Sequence, residues 1–227
     1  MINTVLFDFV NTLAFLSPKR EDILRSFAKE QGIALDKKDI LKVFINLDEI
    51  EPYSSVRIKN LKDKKDFYLK YNERLFKNFD LKHSDKFFDF YMNYNKKWQL
   101  YKNVKYVLNE LVSEGVQIGI VSNFDSNLEN IVKDLGIFEM FNFLCVSQKV
   151  GLEKPDINFY KYVKKSYNIV PSSTIYVGDS YSLDYVPSKE LGFQSYIIDR
   201  HKQFLFVESR LDDIKDILAK VEDSNVT

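Results

Sequence analysis

The sequence predicts an α/β fold: a parallel sheet with helices on both faces, and a helical insertion after the first strand. In the second half of the chain, short apolar runs alternate with amphipathic segments, as is typical of parallel strands joined by helices. A similar run near the N-terminus is separated from the next one by about a hundred residues of helical periodicity. The composition, 45% apolar and 29% charged, fits a folded globular chain.

The predicted strands are short and apolar, as expected for strands buried on both faces. They cover Thr4–Phe9, Val116–Val121, Phe141–Val146, Thr174–Val177 and Phe193–Ile198. Amphipathic segments between the later strands predict helices over Ser126–Leu135, Asp156–Tyr167 and Leu183–Leu191.

The long segment after the first strand carries apolar residues at helical spacing. It predicts helices over Lys19–Gln31, Asp36–Asn46, Lys59–Lys77 and Ser84–Trp98. If this segment were a separate N-terminal domain, the first strand would be left outside the sheet, so an insertion is the simpler interpretation. We therefore predict a discontinuous core of residues 1–13 and 98–227, and an all-helical domain of residues 14–97.

Charge and cysteine content limit the classes of function. Basic and acidic residues both number 33, so no overall field favours nucleic acid or an anionic membrane. Cys145 is the single cysteine and cannot form an intrachain disulfide, which favours a cytoplasmic location. The N-terminal apolar stretch lacks the preceding basic residue of a signal peptide, and no apolar run reaches the ~18 residues of a membrane span.

Polar side chains follow several of the predicted strands where each strand ends. Asp8 ends the first run, Ser122 and Asn123 follow the second, and Asp179 follows Gly178 after a later one. Parallel α/β sheets bind ligands at this edge. A carboxylate beside a buried strand is costly unless it is paired, hydrogen-bonded or metal-bound. The pattern therefore indicates a ligand site, although a helix cap would also account for Asp8, or for Ser122 with Asn123, taken alone.

Two further residues add charge at the same edge. Lys154 precedes Pro155 and a predicted helix, which would place an ammonium group there, and Asp184 lies five residues after Asp179. Carboxylate oxygens are suitable ligands for Mg²⁺. Together these residues supply a nucleophile, a metal site, a cation and hydroxyl or amide donors, the set that phosphoryl transfer requires.

The order and spacing of four segments resemble the haloacid dehalogenase superfamily. The segments are FDFVNTL, IVSN, EKPD and GDSYSLD, each at the end of a predicted strand or before a predicted helix. The resemblance covers residues 1–13 and roughly 98–200. It implies a Rossmann-like core with a helical cap, which would be the insertion of residues 14–97.

The resemblance also implies a role for each site residue. Asp8 would be the nucleophile that forms an aspartyl intermediate, and Lys154 would neutralise charge on Asp8 and on the substrate. The residues implied as Mg²⁺ ligands are Asp8, Val10 through its carbonyl, Asp179 and Asp184. Those implied to bind the substrate are Thr12, Ser122, Asn123 and Lys154.

One position departs from the phosphatase pattern of the family. Those enzymes have Asp-x-Asp in the first motif, and the second Asp transfers a proton to the leaving group, whereas this chain has Val10 there. General acid–base catalysis contributes about 10²–10⁴-fold, so ordinary alkyl phosphates should be poor substrates. Other groups that could donate a proton are His83, the tyrosines of residues 14–97, and His201.

Three functions remain open at this point. The first is a Mg²⁺-dependent phosphatase for a small anionic substrate, a phosphate ester or an acyl phosphate. The second is a binding or regulatory protein that has lost turnover, which Val10 favours. The third is a 2-haloacid dehalogenase, whose halide leaving group needs no proton, although Asp179 argues against it. We expect neither nucleic acid nor a membrane as a partner, and the oligomeric state is left open.

Overall fold

A computed structural model describes residues 1–54 and 56–226 and confirms the α/β fold. Its strands are β1 (Thr4–Phe7), β2 (Ala14–Ser17), β3 (Lys97–Leu100), β4 (Gln117–Ser122), β5 (Phe143–Val146), β6 (Thr174–Gly178), β7 (Gln194–Ile198) and β8 (Arg210–Leu211). Its α-helices are α1 (Arg20–Glu30), α2 (Lys37–Ile50), α3 (Leu61–Lys77), α4 (Ser84–Asn93), α5 (Val104–Ser113), α6 (Leu128–Asp134), α7 (Ser147–Val150), α8 (Ile157–Ser166), α9 (Val186–Glu190) and α10 (Asp216–Val226).

The main sheet has six parallel strands in the order β5-β4-β1-β6-β7-β8. From β1 the chain first builds β4 and β5 on one side and then β6, β7 and β8 on the other. The strand order therefore reverses at β1, and the crevice at such a switch point is where open α/β sheets bind ligands. Every residue of β1 is buried, which explains its uniformly apolar sequence apart from Thr4.

The chain divides into two compact units. One contains residues 1–15 and the residues from Gln99 onward, and the other is Leu16–Trp98. The predicted boundaries, after residues 13 and 97, lie within two residues of these. The role of the second unit as a cap stays a prediction.

The second unit contains α1 to α4 around its own apolar core. Buried residues of these helices include Ile23, Phe27, Ile40, Phe44 and Leu75. Two of the helices begin at side-chain caps. Asp36 accepts hydrogen bonds from the amides of Lys38 and Asp39, and Asn60 accepts one from the amide of Asp63.

The predicted helix Ser84–Trp98 is wrong in its last turn. Helix α4 ends at Asn93, Tyr94 is extended, and the chain then enters β3. The Lys96 ammonium donates to the carbonyls of Tyr91 and Tyr94, which satisfies acceptors at the helix end. Strands β2 and β3 pair in a separate two-stranded sheet that the sequence analysis did not predict.

Three predicted helices also differ in detail. Helix α6 begins at Leu128 rather than at Ser126, and α8 begins at Ile157, with Asp156 as its N-cap. The segment predicted as one helix from Leu183 is a π-helical turn, Tyr181–Tyr185, followed by α9. Among the described residues, no helix combines the length and apolarity that a membrane span needs.

Candidate active site

The candidate site lies at the carboxyl ends of three neighbouring strands. Asp8 follows β1, Ser122 ends β4, and Asp179 follows β6. Lys154 comes from the loop between α7 and α8, and Asp184 from the π-helical turn after β6. The structure therefore brings to one sheet edge residues that are up to about 180 positions apart in the chain.

Asp8 is buried and accepts hydrogen bonds on both carboxylate oxygens. Its Oδ1 accepts from the Ser122 hydroxyl at 3.1 Å and from the Lys154 ammonium at 2.7 Å, and its Oδ2 accepts from the Thr12 hydroxyl at 3.3 Å. Burial, opposed by the positive charge of Lys154, raises the pKa of Asp8 above its ordinary value. These contacts fix the orientation of the carboxylate.

Lys154 bridges two carboxylates. Its ammonium lies 2.7 Å from Asp8 Oδ1 and 2.6 Å from Asp184 Oδ1, and all three side chains are almost fully buried. Burial lowers the pKa of Lys154, but the charges of Asp184 and Asp8 outweigh it and raise the pKa above its ordinary value. Lys154 is therefore a fixed cation of this site.

Asn123 holds the backbone of Lys154. Its amide nitrogen donates to the Lys154 carbonyl and its Oδ1 accepts from the Lys154 amide, both at 2.8 Å. The side chain therefore has a positioning contact that sequence alone did not indicate. Its predicted role in binding substrate stays a prediction.

Asp184 is held by groups that the sequence analysis did not identify. Its Oδ1 accepts from the Tyr176 hydroxyl at 2.9 Å, and its Oδ2 accepts from the Ser180 amide at 3.2 Å. Gly178 gives it room, because a Cβ on that glycine would lie 2.3 Å from the Asp184 Cγ. Tyr176 was hidden from sequence analysis because it continues the apolar pattern of β6.

Three carboxylates lie close enough together to hold one cation. Oxygen atoms of Asp8, Asp179 and Asp184 lie within 4.8 Å of one another. Asp179 is half-buried, and its carboxylate accepts no hydrogen bond from any described residue. Burial and the charges of Asp8 and Asp184 raise its pKa well above the ordinary value.

This group of residues fits a divalent cation. The three carboxylates carry three formal negative charges, and Lys154 contacts two of them, those of Asp8 and Asp184, which leaves two negative charges to be neutralised. Mg²⁺ is a hard cation that takes oxygen ligands, usually one or two carboxylates with waters and substrate phosphate. The carbonyl of Val10 is a further available oxygen, since no described residue donates to it.

The predicted proton donors do not belong to this group of charged residues. The Val10 side chain is half-buried and has no ionisable proton that it could donate to a leaving group. His83 lies in the second unit and His201 in the loop after β7, and both are exposed. Arg200, which precedes His201, was not among the predicted site residues. Its guanidinium donates to the carbonyls of Asn11 and Thr12.

Comparison with curated proteins gives two kinds of relative. The chain is 34% identical over 101 residues to haloacid dehalogenase-like hydrolase domain-containing protein 3 of Mus musculus, a match covering 44% of this chain and 40% of that protein. It is 30% identical over 199 residues to glyceraldehyde 3-phosphate phosphatase of Methanocaldococcus jannaschii, covering 85% of this chain and 82% of that protein. The chain spans less than half the length of the first curated relatives that it matches.

Solved structures share the fold along nearly the whole chain. A Bacillus subtilis protein solved with bound magnesium matches with a TM-score of 0.65 at 17% identity, covering 97% of this chain and 98% of that one. A 2-haloacid dehalogenase from Pseudomonas syringae matches with a TM-score of 0.56 at 17% identity, covering 97% and 99%. At these identities the likeness concerns the fold.

The family assignment rests on the length of chain that matches as well as on the site. The family model of the haloacid dehalogenase-like hydrolases matches residues 5–198, a segment that contains all but the first residue of β1, and Asp8, β4, β6 and Lys154. The archaeal phosphatase matches over most of both chains. The sheet order, the three motifs at strand ends, the EKPD motif before α8 and this match show that the chain belongs to the haloacid dehalogenase-like hydrolases.

Proposed function

We propose that this protein is a Mg²⁺-dependent phosphatase that acts on a small phosphorylated metabolite through an aspartyl-phosphate on Asp8. One observation carries the proposal: oxygens of Asp8, Asp179 and Asp184 lie within 4.8 Å of one another, with Lys154 bonded to two of these residues. A carboxylate nucleophile beside a cation site is what in-line transfer of a phosphoryl group requires.

The reaction follows from the positions of the side chains. A carboxylate oxygen of Asp8 forms a bond to phosphorus as the bond from phosphorus to the leaving oxygen breaks. Water then cleaves the acyl phosphate, which releases inorganic phosphate and regenerates Asp8. Lys154 neutralises negative charge on Asp8 and on the phosphoryl oxygens, and the hydroxyls of Thr12 and Ser122 orient the nucleophile. A bound Mg²⁺ would screen the charge between Asp8 and the substrate.

Val10 determines which phosphates can be good substrates. Because its side chain cannot protonate a leaving oxygen, turnover depends on leaving groups that are stable as anions. Acyl and aryl phosphates have such leaving groups, and simple alkyl phosphates do not. We therefore propose an acyl phosphate or a phosphate ester with an acidic leaving group as the substrate.

The relatives support phosphate hydrolysis, whereas the acidic leaving group is argued from Val10 alone, because glyceraldehyde 3-phosphate is an alkyl phosphate. The relative from Methanocaldococcus jannaschii, which matches over most of both chains, is a phosphatase of a small phosphorylated sugar, and a structural neighbour was solved with magnesium. The cytoplasmic location and the absence of nucleic-acid and membrane partners stay predictions.

Two other functions have an observation in their favour. Val10 favours a protein that binds or regulates without turnover, because the proton-transferring side chain is missing. The dehalogenase neighbour favours attack of Asp8 on carbon with release of halide, for which no acid is needed. The position of Asp179 argues against the dehalogenase. Asp179 lies beside Asp8, and its carboxylate accepts no hydrogen bond from the described residues. Halide displacement does not use such a second carboxylate.

The test is hydrolysis of p-nitrophenyl phosphate, with and without Mg²⁺, by the native protein, Val10→Asp and Asp8→Asn. The leaving group is acidic enough to depart without a proton donor. We expect metal-dependent turnover by the native protein, faster turnover by Val10→Asp, and none by Asp8→Asn.

Each other outcome identifies a different function. Activity in Val10→Asp alone supports a binding or regulatory protein derived from a phosphatase. Inactivity of all three, with halide released from 2-chloropropionate by the native protein, supports the dehalogenase. Full phosphate release by Asp8→Asn contradicts the assignment of the nucleophile.

A further inference from the structure

The backbone carbonyls of the loop after Asp8 differ in the hydrogen bonds that they accept. The Phe9 carbonyl accepts from the amides of Leu13 and Ala14 at 2.9 and 3.0 Å. Those of Asn11 and Thr12 accept from the Arg200 guanidinium, the second at 2.9 Å. Between them, the Val10 carbonyl accepts from no described residue.

This pattern depends on the shape of the loop. Asn11 has a φ of 59°, in the left-handed region that asparagine tolerates better than most residues. Its amide donates to the Ala14 carbonyl at 2.7 Å, which closes the turn. The turn therefore presents two successive carbonyls, Asn11 and Thr12, to one guanidinium while the carbonyl before them is left available.

Arg200 is fixed on both sides. Its guanidinium carbon lies 3.7 Å from the centre of the Tyr101 ring, so the cation is stacked on an aromatic face. The preceding residue, Asp199, is buried, and its carboxylate accepts from the amides of Gln203 and Phe204 at 2.8 and 2.9 Å. The guanidinium thus approaches the loop from a rigid base at the end of β7.

We infer that Arg200 is a positioning residue of the cation site: by binding the carbonyls of Asn11 and Thr12, it holds the loop in the shape that leaves the Val10 carbonyl free as an oxygen ligand. The same contacts fix the backbone of Thr12, whose hydroxyl donates to Asp8. The inference rests on the proposed function, because it assigns Arg200 to the Mg²⁺ site of that function.

A positioning role and a purely electrostatic role of Arg200 predict opposite changes in Mg²⁺ affinity when its side chain is removed. Its positive charge acts on Asp179 and by itself opposes the binding of another cation. If charge were its only effect, removing it would tighten Mg²⁺ binding. If Arg200 acts by positioning the loop, its removal weakens Mg²⁺ binding even though the local charge becomes more negative.

Two substitutions separate these effects. Arg200→Lys keeps the charge but lacks the planar fork that reaches two carbonyls at once. Arg200→Gln removes the charge as well. Lys202→Gln is the control, because Lys202 is an exposed cation two residues from Arg200 whose side chain makes no hydrogen bond or ion pair with a described residue.

The experiment is calorimetric titration of the purified proteins with Mg²⁺ alone, so that the readout does not depend on turnover. We expect the native protein and Lys202→Gln to bind Mg²⁺ equally, and both Arg200 variants to bind it about 10- to 100-fold more weakly, as is usual when a residue that orients a metal ligand is lost. Native affinity in Arg200→Lys, or tighter binding in Arg200→Gln, would overturn the inference.

Failure of the proposed function gives a different result. A native protein that does not bind Mg²⁺ contradicts the cation site itself, and with it the role of Arg200. If the Arg200 variants do not fold, Tyr101→Leu replaces them, because it removes the ring beneath the guanidinium and leaves Arg200 in place. Weaker Mg²⁺ binding by that variant supports the inference, and unchanged binding overturns it.

Discussion

Lys154 shows how single contacts determine the chemistry of this site. The ammonium is buried between Asp8 and Asp184, 2.7 and 2.6 Å away. Removing one member of such a pair leaves an uncompensated buried charge, at a cost of about 3–5 kcal/mol. The position of Lys154 therefore depends on whatever holds Asp184 in place.

Tyr176→Phe tests that dependence at the level of one hydroxyl group. The variant loses the 2.9 Å hydrogen bond to Asp184 Oδ1 and leaves a buried carboxylate with one donor fewer. We expect a loss of about 1–3 kcal/mol in the free energy of unfolding, measured by denaturant titration. Asp184 forms an ion pair with Lys154, so the substitution also affects the position of Lys154. We therefore expect kcat for p-nitrophenyl phosphate to fall by a larger factor than the factor by which KM changes.

Tyr196→Phe provides the control for this substitution. Tyr196 lies on the neighbouring strand β7, and its hydroxyl makes no hydrogen bond to the described residues of the site. Its loss should leave kcat unchanged. Equal kcat in Tyr176→Phe and the native protein would show that the hydroxyl has no influence on the position of Lys154.

The sequence predicted the charged residues of the site better than the residues that hold them. Asp8, Asp179 and Asp184 interrupt apolar or glycine-containing segments, so they are conspicuous in the sequence. Tyr176 is not conspicuous, because tyrosine is common in buried strands. Arg200 binds carbonyls 188 and 189 residues away, a contact that no local pattern encodes.

At the scale of elements, the site exists because β4, β1 and β6 are adjacent and end at one edge. Close approach around these strands depends on glycine. A Cβ at Gly178 would lie 2.3 Å from Asp184 Cγ, and a Cβ at Gly119 would lie 2.3 Å from the ring of Phe143. The first contact belongs to the site, and the second belongs to the apolar core.

Gly178→Ala and Gly119→Ala form a matched pair. Both force a methyl group into filled space, and we expect each to lower the free energy of unfolding by about 1–3 kcal/mol. Only Gly178→Ala displaces Asp184, so only this variant should also weaken Mg²⁺ binding in a calorimetric titration. Equal Mg²⁺ affinity in the two variants would contradict the placement of Asp184 in the cation site.

The buried apolar strands were predictable, whereas the more exposed strands β2 and β3 and the two-residue strand β8 were not. The five strands predicted in the sheet are present, with ends that differ by up to two residues from the predicted ones. Strands β2 and β3 have four residues each and are largely half-exposed or exposed, so their alternation is too short to be distinguished from a loop or a helix end. Strand β8 has two residues and depends on its partner β7.

At the scale of the whole molecule, the formal net charge is zero, but negative charge is concentrated at the candidate site. Asp8, Asp179 and Asp184 lie within one small region of an otherwise balanced chain. Their mutual repulsion destabilises the folded protein when no cation is bound. Folding stability should therefore depend on Mg²⁺.

Thermal unfolding with and without Mg²⁺ measures this dependence. A cation at 100 times its Kd adds about 2.7 kcal/mol, so we expect the midpoint of the native protein to rise by about 5–10 °C. Without Mg²⁺, Asp179→Asn should unfold at a higher temperature than the native protein, because one repelling charge is gone. Adding Mg²⁺ should raise the unfolding temperature of Asp179→Asn only slightly. An equal gain in both proteins would place the cation away from Asp179.

The division of the chain into two units was visible in the sequence because strands and helices differ in periodicity. The helical segment contains its own apolar residues at helical spacing, and these form the core of Leu16–Trp98. Whether that unit contacts a ligand was not predictable, because side chains that pack helices together and side chains that contact a ligand follow the same apolar pattern.

The central claim is that Asp8 accepts a phosphoryl group with the help of Mg²⁺, and binding of beryllium fluoride tests it independently of turnover and of the substrate. Trifluoroberyllate bonds to a carboxylate as a phosphoryl group does, and its bound form gives separate fluorine NMR resonances. We predict that the native protein shows these resonances only when Mg²⁺ is present, and that Asp8→Asn shows none. Bound resonances that persist in Asp8→Asn, or a native protein that shows none with Mg²⁺, would contradict the account.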